Sequence, residues 1–229
     1  MRLRAEWEKI MVIESIKGAI FDVDGTLLDS MPVWESVSSD YLLSRGVHPR
    51  ADLNDDLIEL GGHEIPEYFQ TKYGLRESAE DIQNGIYGLL EEFYLLKAMP
   101  KEGVFPVLNA LCERGVKMCV ATATDRWLIE PALKRCGLLK YFGRIFTCGE
   151  EKTSKSSPNI YIRAAAFLGT DINGTLVFED ALYAIKSAKR AGFPVVGVYD
   201  RSADRVQDEI KALCDYYYES LVDLTVVLP

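Results

Sequence analysis

Residues 18–30 read GAIFDVDGTLLDS. The segment begins as an apolar run typical of a buried strand and changes abruptly to two carboxylates, Asp22 and Asp24, followed by a glycine. In open α/β sheets, ligands bind at the carboxyl ends of the strands. The segment therefore predicts a strand whose end carries a functional site.

Four further apolar runs downstream have the length and composition of strands, and helical patterns separate them. Ser157-Pro158 opens one of these helical patterns, and Gly192 closes another. Strand–helix–strand repetition predicts an α/β fold with a doubly wound, Rossmann-like sheet of parallel strands. The predicted strands are residues 19–21, 116–121, 144–148, 175–178 and 194–199.

The alternation is interrupted once, by a long stretch with helical periodicity and no strand signal. Apolar residues recur along this stretch at the spacing of one helix face. We therefore predict an α/β core made of residues 1–30 and 100–229, with an all-helical domain of residues 31–99 inserted into it.

The last helix of the predicted insert has a clear start. Ser78-x-x-Asp81 is a capping box, in which the two side chains satisfy backbone N–H groups of the first turn. Gly85 and Gly88 each weaken this helix by about 1 kcal/mol relative to alanine. We expect packing to compensate for that loss.

Composition and charge limit the class of partner. With 229 residues, 48% hydrophobic and 27% charged, the chain is typical of a soluble protein of one or two domains. A net charge of −9 without a Lys/Arg run argues against nucleic acid or an anionic membrane and favours a small molecule. No apolar stretch reaches the roughly 20 residues of a membrane span, and the signal-peptide pattern is missing, so we expect a cytoplasmic protein.

The cysteines indicate neither a disulfide framework nor a zinc site. There are five of them, an odd number, and they are scattered without a Cys-x-x-Cys spacing. We therefore interpret all five as small core or surface thiols.

The predicted strands all end in polar residues. Because the carboxyl ends of parallel strands meet at one edge of a sheet, we expect these side chains to converge on one crevice. They are Asp22 and Asp24 after the first strand, Thr122 after the second, Lys152 and Lys155 in the loop after the third, Glu179 and Asp180 after the fourth, and Asp200 after the fifth.

Such a cluster needs a cation if its substrate is a phosphate ester. At an effective dielectric constant of about 20, a carboxylate 4 Å from one negative charge costs about 4 kcal/mol. Hard oxygen ligands with room for water and a phosphate oxygen fit Mg²⁺. One ionised carboxylate could then attack phosphorus while a protonated neighbour gives a proton to the leaving alkoxide.

Taken together, these motifs resemble those of the haloacid dehalogenase superfamily of phosphatases and phosphotransferases. The resemblance rests on Asp22-Val23-Asp24-Gly25-Thr26 after an apolar strand, on Thr122, on Lys155 ahead of Pro158, and on Glu179-Asp180. It extends from about Lys17 onward and is similar to the β-phosphoglucomutase-like and phosphoglycolate-phosphatase-like branch. The helical insert resembles the small α-helical cap of that superfamily.

The resemblance implies a role for each residue at the predicted site. Asp22 would be the nucleophile that forms an aspartyl-phosphate, and Asp24 the general acid and base. Thr122 and the backbone amide of Ala123 would bind the phosphoryl group, and Lys155 would neutralise its charge.

The same resemblance implies the metal ligands. Asp22, the backbone carbonyl of Asp24 and Asp180 would bind Mg²⁺ directly, and Glu179 would act through a water molecule. Where the family often has a serine after this pair, the chain has Ala181, so we expect weaker metal binding.

The third motif departs from the family pattern. That motif is commonly Gly-Lys-Pro-x-Pro, whereas residues 154–158 read SKSSP. Lys155 lies at the right distance from Pro158, but Lys152 remains a competitor for the same role.

Three roles remain open from the sequence: a phosphatase, a mutase and a phosphoryl-accepting module. Asp24 favours phosphate esters over the substrates of dehalogenases, because dehalogenases need no acid for a leaving alkoxide. Hydrolysis is favoured over a β-phosphoglucomutase-type reaction, because Trp34 occupies the position where those mutases have a histidine. The third alternative is a receiver-like module that accepts a phosphoryl group without turnover.

Substrate choice is expected to depend on the predicted cap. The loop of residues 59–64 contains two glycines and His63, which could contact substrate. The expected substrate is a small phosphorylated metabolite, either a sugar phosphate or a short organic acid phosphate. The expected assembly is a monomer or weak homodimer.

Overall fold

The structure is a computed structural model that describes residues 15–58, 60 and 64–225. The chain forms two compact units. One is Met31–Lys97, and the other combines the residues up to Ser30 with those from Ala98 onward. The first is helical and the second is α/β. The helical unit spans Met31–Lys97, whereas the insert predicted from the sequence is residues 31–99.

The α/β unit is built on a parallel sheet of six strands in the order β3-β2-β1-β4-β5-β6. The strand that leads directly into the two acids, β1, therefore lies in the interior of the sheet. The predicted fold class is confirmed. The strands are β1 (Gly18–Phe21), β2 (Lys117–Thr122), β3 (Ile145–Thr147), β4 (Thr175–Glu179), β5 (Val195–Val198) and β6 (Tyr216–Tyr218).

The central strands are buried on both faces. All residues of β1, β4 and β5 are buried, as expected for parallel strands covered by helices on both sides. Phe21 pairs with Phe178 across β1 and β4, and their rings stack with centroids 4.1 Å apart. This pairing brings the ends of the two strands, and the acids that follow them, to the same level.

Four helices lie in the described part of the helical unit. The longest begins at the predicted capping box, where the Ser78 side chain accepts a hydrogen bond from the Asp81 amide at 3.1 Å. Its buried face is a stripe of Ile82, Ile86, Leu90 and Tyr94 at helical spacing. The helices are α1 (Met31–Ser44), α2 (Leu53–Ile58), α3 (Ile65–Tyr73) and α4 (Ala79–Leu96).

All helices described in the α/β unit except the last lie between strands in sequence. A core cluster packs one face of the sheet against the helices of Asn159–Leu168, Leu182–Arg190 and Gln207–Leu213. No described helix is long and apolar enough to cross a membrane. The helices are α5 (Val104–Glu113), α6 (Arg126–Arg135), α7 (Cys148–Glu151), α8 (Asn159–Leu168), α9 (Leu182–Arg190), α10 (Gln207–Leu213) and α11 (Leu221–Thr225), with 3-10 turns at Leu139–Tyr141 and Arg201–Val206.

The sequence analysis missed β6. This edge strand has only three residues, all tyrosines, and it extends the sheet through parallel pairing with β5. A short aromatic run between charged residues gives no apolar signal of the kind that predicted the other five strands. All five cysteines lie in the described part of the chain and are free thiols, as the sequence indicates.

The two glycines of α4 have different environments. At Gly85, an added Cβ atom would overlap the ring of Tyr41 in α1, so the missing side chain allows close packing of the two helices. At Gly88, the described residues place nothing within 4 Å of an added Cβ. Packing therefore accounts for the first glycine and not for the second.

We expect Gly88→Ala to stabilise the protein by about 0.5–1 kcal/mol, because alanine lowers the entropy cost of the helix without a clash. Gly85→Ala should destabilise it by about 1–3 kcal/mol, because the new methyl group overpacks the helix contact. The free energy of unfolding in urea measures both changes. Stabilisation by both substitutions would contradict the packing role of Gly85.

Candidate active site

The chain makes a tight turn directly after β1, which we call the acidic turn (residues 22–28). The carbonyl oxygen of Val23 accepts hydrogen bonds from the amides of Leu27 and Leu28 at 2.9 and 2.8 Å. Gly25 has a φ of 77°, in the left-handed region where a side chain is unfavourable. The glycine of the Asp-x-Asp-Gly motif thus allows the chain to turn sharply directly after its two acids.

Asp22 lies at the start of this turn and is buried against a lysine. The Lys155 ammonium forms an ion pair with Asp22 Oδ1 and another with Glu179 Oε1, the latter at 2.6 Å. Glu179 Oε1 also accepts a hydrogen bond from the Tyr161 hydroxyl at 2.7 Å. A connected series of buried charges and polar groups therefore links β1, the loop before α8, and β4.

The structure distinguishes the two candidate lysines. Lys155 is 3% exposed and contacts the acids, as described above. Lys152 is exposed and ends α7 in a left-handed conformation with a φ of 50°. The lysine at the acidic cluster is therefore Lys155.

Asp180 completes a group of three carboxylates. Oxygens of Asp22, Glu179 and Asp180 all lie within 4.8 Å of one another. The Thr26 hydroxyl donates to Asp180 Oδ1 at 3.0 Å. Glu179 Oε2 is buried without a hydrogen-bond partner among the described residues. Three hard oxygen donors, one of them unsatisfied, form a suitable ligand set for a divalent cation.

Burial and neighbouring charges alter the pKa values of Asp22, Asp180 and Lys155. Burial raises the pKa of Asp22 well above its usual value, and Lys155 opposes that shift. Burial and then the neighbouring Glu179 raise the pKa of Asp180 to about 7. Burial alone would lower the pKa of Lys155, but Asp22 and Glu179 outweigh it, so that pKa is raised. Without a bound cation, Asp22 and Asp180 therefore resist ionisation, while Lys155 stays charged.

Asp24 points to a different set of partners. The Ser30 hydroxyl donates to Asp24 Oδ1 and the Thr124 hydroxyl donates to Asp24 Oδ2, each at 2.6 Å. The Thr124 amide in turn donates to the Thr122 hydroxyl at 3.1 Å. The second acid is therefore connected to the end of β2, where Thr122 is buried and Ala123 is exposed.

Four hydroxyl residues at the cluster were missed by the sequence analysis. Thr26 and Ser30 belong to the opening segment, and Thr124 follows Thr122 two residues on, so their proximity to the acids was a usable signal. Tyr161 lies in the middle of a helical pattern and gave no such signal. It is 1% exposed, and only the fold reveals its hydrogen bond to Glu179.

The sequence analysis assigned possible roles to two residues of the helical domain, His63 and Trp34. His63 lies outside the described residues, so its contact with substrate stays a prediction. The Trp34 indole N–H donates to the Tyr94 hydroxyl at 2.9 Å within the helical unit. The role of that unit as a cap also stays a prediction.

The chain belongs to the haloacid dehalogenase-like hydrolases, because a model of that family matches residues 16–192. The predicted family is confirmed, and with it the prediction that the protein is an enzyme. Family membership also decides against the receiver-like module.

Known proteins similar to the chain fit this assignment. A phosphoglycolate phosphatase of Agrobacterium fabrum is 29% identical over 221 residues, covering 89% of this chain and 93% of the relative. Hexitol phosphatase B of Escherichia coli is 29% identical over 218 residues, covering 92% of this chain and 95% of the relative. The crystal structure of a β-phosphoglucomutase from Clostridium difficile has the same fold, with a TM-score of 0.66 at 21% identity, over 91% of this chain and 93% of the other.

The raised pKa of Asp180 predicts how the stability of the metal-free protein depends on pH. The folded pKa is about 7 and the ordinary value is 3.8, so the folded state keeps a proton that the unfolded state loses. The contribution of Asp180 to the free energy of unfolding therefore falls as pH rises from about 4 to about 7. Asp180→Asn should leave stability near pH 4 little changed and raise it near pH 8, as measured by urea unfolding in EDTA.

Asp171→Asn provides the matched control, because Asp171 is an exposed acid before β4, away from the carboxyl ends of the strands. This substitution leaves the buried carboxylates intact, so it should not reproduce the rise in stability near pH 8. An effect of Asp180→Asn that is equal at pH 4 and pH 8 would refute the predicted titration.

Proposed function

We propose that the protein is a Mg²⁺-dependent phosphatase that hydrolyses a small phosphorylated metabolite through an aspartyl-phosphate on Asp22. The proposal rests chiefly on one observation: three buried carboxylates and the buried Lys155 meet beside an acid, Asp24, that is held separately by two hydroxyl groups. That arrangement offers a cation site, a nucleophile and a separate proton donor.

The residues present fit a magnesium ion. Asp22, Asp180 and the backbone carbonyl of Asp24 would hold it, and Glu179 would contribute through water. The unsatisfied Glu179 Oε2 and the excess of three carboxylates over one lysine support a cation here. When bound, Mg²⁺ supplies positive charge that offsets the negative charge of the phosphoryl group.

Asp22 is the better placed of the two acids for attack on phosphorus. The ion pair with Lys155 favours its ionised form. An oxygen of its carboxylate forms a bond to phosphorus while the bond from phosphorus to the ester oxygen breaks. The resulting aspartyl-phosphate stays next to the Lys155 ammonium, which balances its charge.

Asp24 is suited to proton transfer in both steps. It donates a proton to the departing alkoxide, and it then takes a proton from the water that attacks the aspartyl-phosphate and releases phosphate. The Ser30 and Thr124 hydroxyls hold both of its oxygens and, because a hydroxyl can either donate or accept, they fit either protonation state.

The relatives support a small phosphorylated substrate. One is a phosphoglycolate phosphatase and the other a hexitol phosphatase, and the chain covers more than nine-tenths of each. A phosphorylated short acid, sugar or sugar alcohol is therefore the substrate class that we propose. The expected monomer or weak homodimer, and the expected cytoplasmic location, stay predictions.

Trp34 favours hydrolysis over the mutase reaction. The family resemblance places a catalytic histidine of β-phosphoglucomutases at this position, and an indole cannot accept a proton as an imidazole can. Its N–H group already donates to Tyr94 within the same unit. A mutase would interconvert β-glucose 1-phosphate and glucose 6-phosphate, whereas a phosphatase would release inorganic phosphate.

Asp22→Asn should abolish the release of phosphate from p-nitrophenyl phosphate, because an amide is a far weaker nucleophile than a carboxylate. We expect a loss of at least about 10³-fold in kcat with Mg²⁺ present, and loss of wild-type activity in EDTA. Phosphate release under steady-state conditions measures both.

The control for this experiment is Asp171→Asn, the same chemical change at the opposite end of the sheet, which should keep wild-type turnover. Near-normal turnover by Asp22→Asn would contradict the assigned nucleophile. A wild-type protein that releases no phosphate from a panel of sugar and organic acid phosphates would contradict the proposed function itself.

Magnesium should stabilise the folded protein independently of any substrate. A ligand that binds only the folded state at 100 times its Kd adds about 2.7 kcal/mol. We expect the thermal midpoint to rise with Mg²⁺ in the wild type and in Asp171→Asn, and to stay constant in Asp180→Asn. An equal rise in all three proteins would place the ion elsewhere.

A further inference from the structure

Lys101 is a largely buried lysine that the chemistry described above does not use. Its side chain is 18% exposed. Its ammonium donates to the carbonyl oxygens of Gly25 and Tyr199 at 2.7 and 2.6 Å, and to Asp200 Oδ2 at 2.9 Å. An ammonium group has three N–H donors, so all of them are used.

These three acceptors belong to two separate segments. Gly25 is in the acidic turn, whereas Tyr199 and Asp200 follow β5. The side chain of Lys101 therefore joins the turn that carries the proposed catalytic acids to the end of a strand two positions away in the sheet.

The backbone around Lys101 makes further contacts with the same turn. The Lys101 amide donates to the Leu27 carbonyl at 3.0 Å, and Leu28 forms an antiparallel bridge with Pro100. Lys101 thus contacts the acidic turn through both its main chain and its side chain. The main-chain contacts support the far end of the turn, and the ammonium supports Gly25 in its middle.

We propose that Lys101 is a positioning residue, which fixes the Gly25 carbonyl and thereby the two neighbouring residues that act at the site. Asp24 precedes Gly25 and carries the proposed proton transfers. Thr26 follows it and donates to Asp180 at 3.0 Å. This inference rests on the proposed function, because the geometry that Lys101 maintains is that of the proposed acid and metal ligands.

A charge effect has to be separated from positioning. Asp200 is 5% exposed, and its other oxygen, Oδ1, accepts from the amide and hydroxyl of Ser202. Removal of Lys101 alone would leave the Asp200 charge buried without its ion-pair partner, which destabilises a protein. A variant that neutralises both residues removes this complication.

The first experiment compares steady-state kinetics on p-nitrophenyl phosphate with Mg²⁺ for Lys101→Met and for Lys101→Met/Asp200→Asn. We expect kcat to fall by about 10- to 100-fold in both, with KM within about threefold of wild type, because misplaced catalytic groups slow the chemical step. Asp200→Asn alone should lower kcat less than Lys101→Met does, because an asparagine oxygen can still accept from Lys101.

Lys117→Met is the matched control. Lys117 begins β2, at the opposite end of the sheet, and its ammonium donates to the Leu168 carbonyl at 3.0 Å. Loss of this lysine should not change kcat. A wild-type kcat in Lys101→Met, or its full recovery in the double variant, would overturn the positioning role.

The second experiment is independent of activity. Hydrogen exchange of the amides at residues 25–28 should be faster in Lys101→Met than in the wild type, with exchange in β4 unchanged. If the single variant fails to fold, the double variant carries the same measurement. Unchanged exchange at residues 25–28 in a folded variant would overturn the proposal, whereas failure of the proposed function would appear separately, as a wild-type protein that releases no phosphate.

Discussion

The ion pairs of Lys155 are the interaction on which the rest of the site depends. Three carboxylates are gathered in a buried region, where each loses hydration and repels the others. A single ammonium between Asp22 and Glu179 offsets part of that cost. One ammonium does not balance three buried carboxylates, which is why a cation is part of the proposed chemistry.

The sequence predicted the parts of the molecule whose signals are local. Each buried strand is a continuous apolar run, and Asp22, Asp24, Glu179 and Asp180 follow two of these runs directly, so fold and acidic cluster could be inferred together. The spacing to Pro158 favoured Lys155 and left Lys152 as a competitor. Burial separates the two lysines in the structure, because Lys155 is buried and Lys152 is exposed.

Two of the residues that sequence reasoning missed, Tyr161 and Thr124, act through partners far away in the chain. Tyr161 reaches Glu179 across 18 positions, and Thr124 reaches Asp24 across 100. Neither distance follows from periodicity, since it depends on the order of the strands in the sheet. The edge strand β6 was missed for a different reason: sheet pairing, and not an apolar run, defines it.

The bridge between Leu28 and Pro100 has a consequence for how proteins of this architecture diversify. It brings together the two points at which the chain leaves and re-enters the α/β unit. A segment of another size or sequence that begins and ends at neighbouring points can be exchanged there without moving the strands that carry the acids. The inserted segment can therefore change in sequence while the reactive groups stay in place.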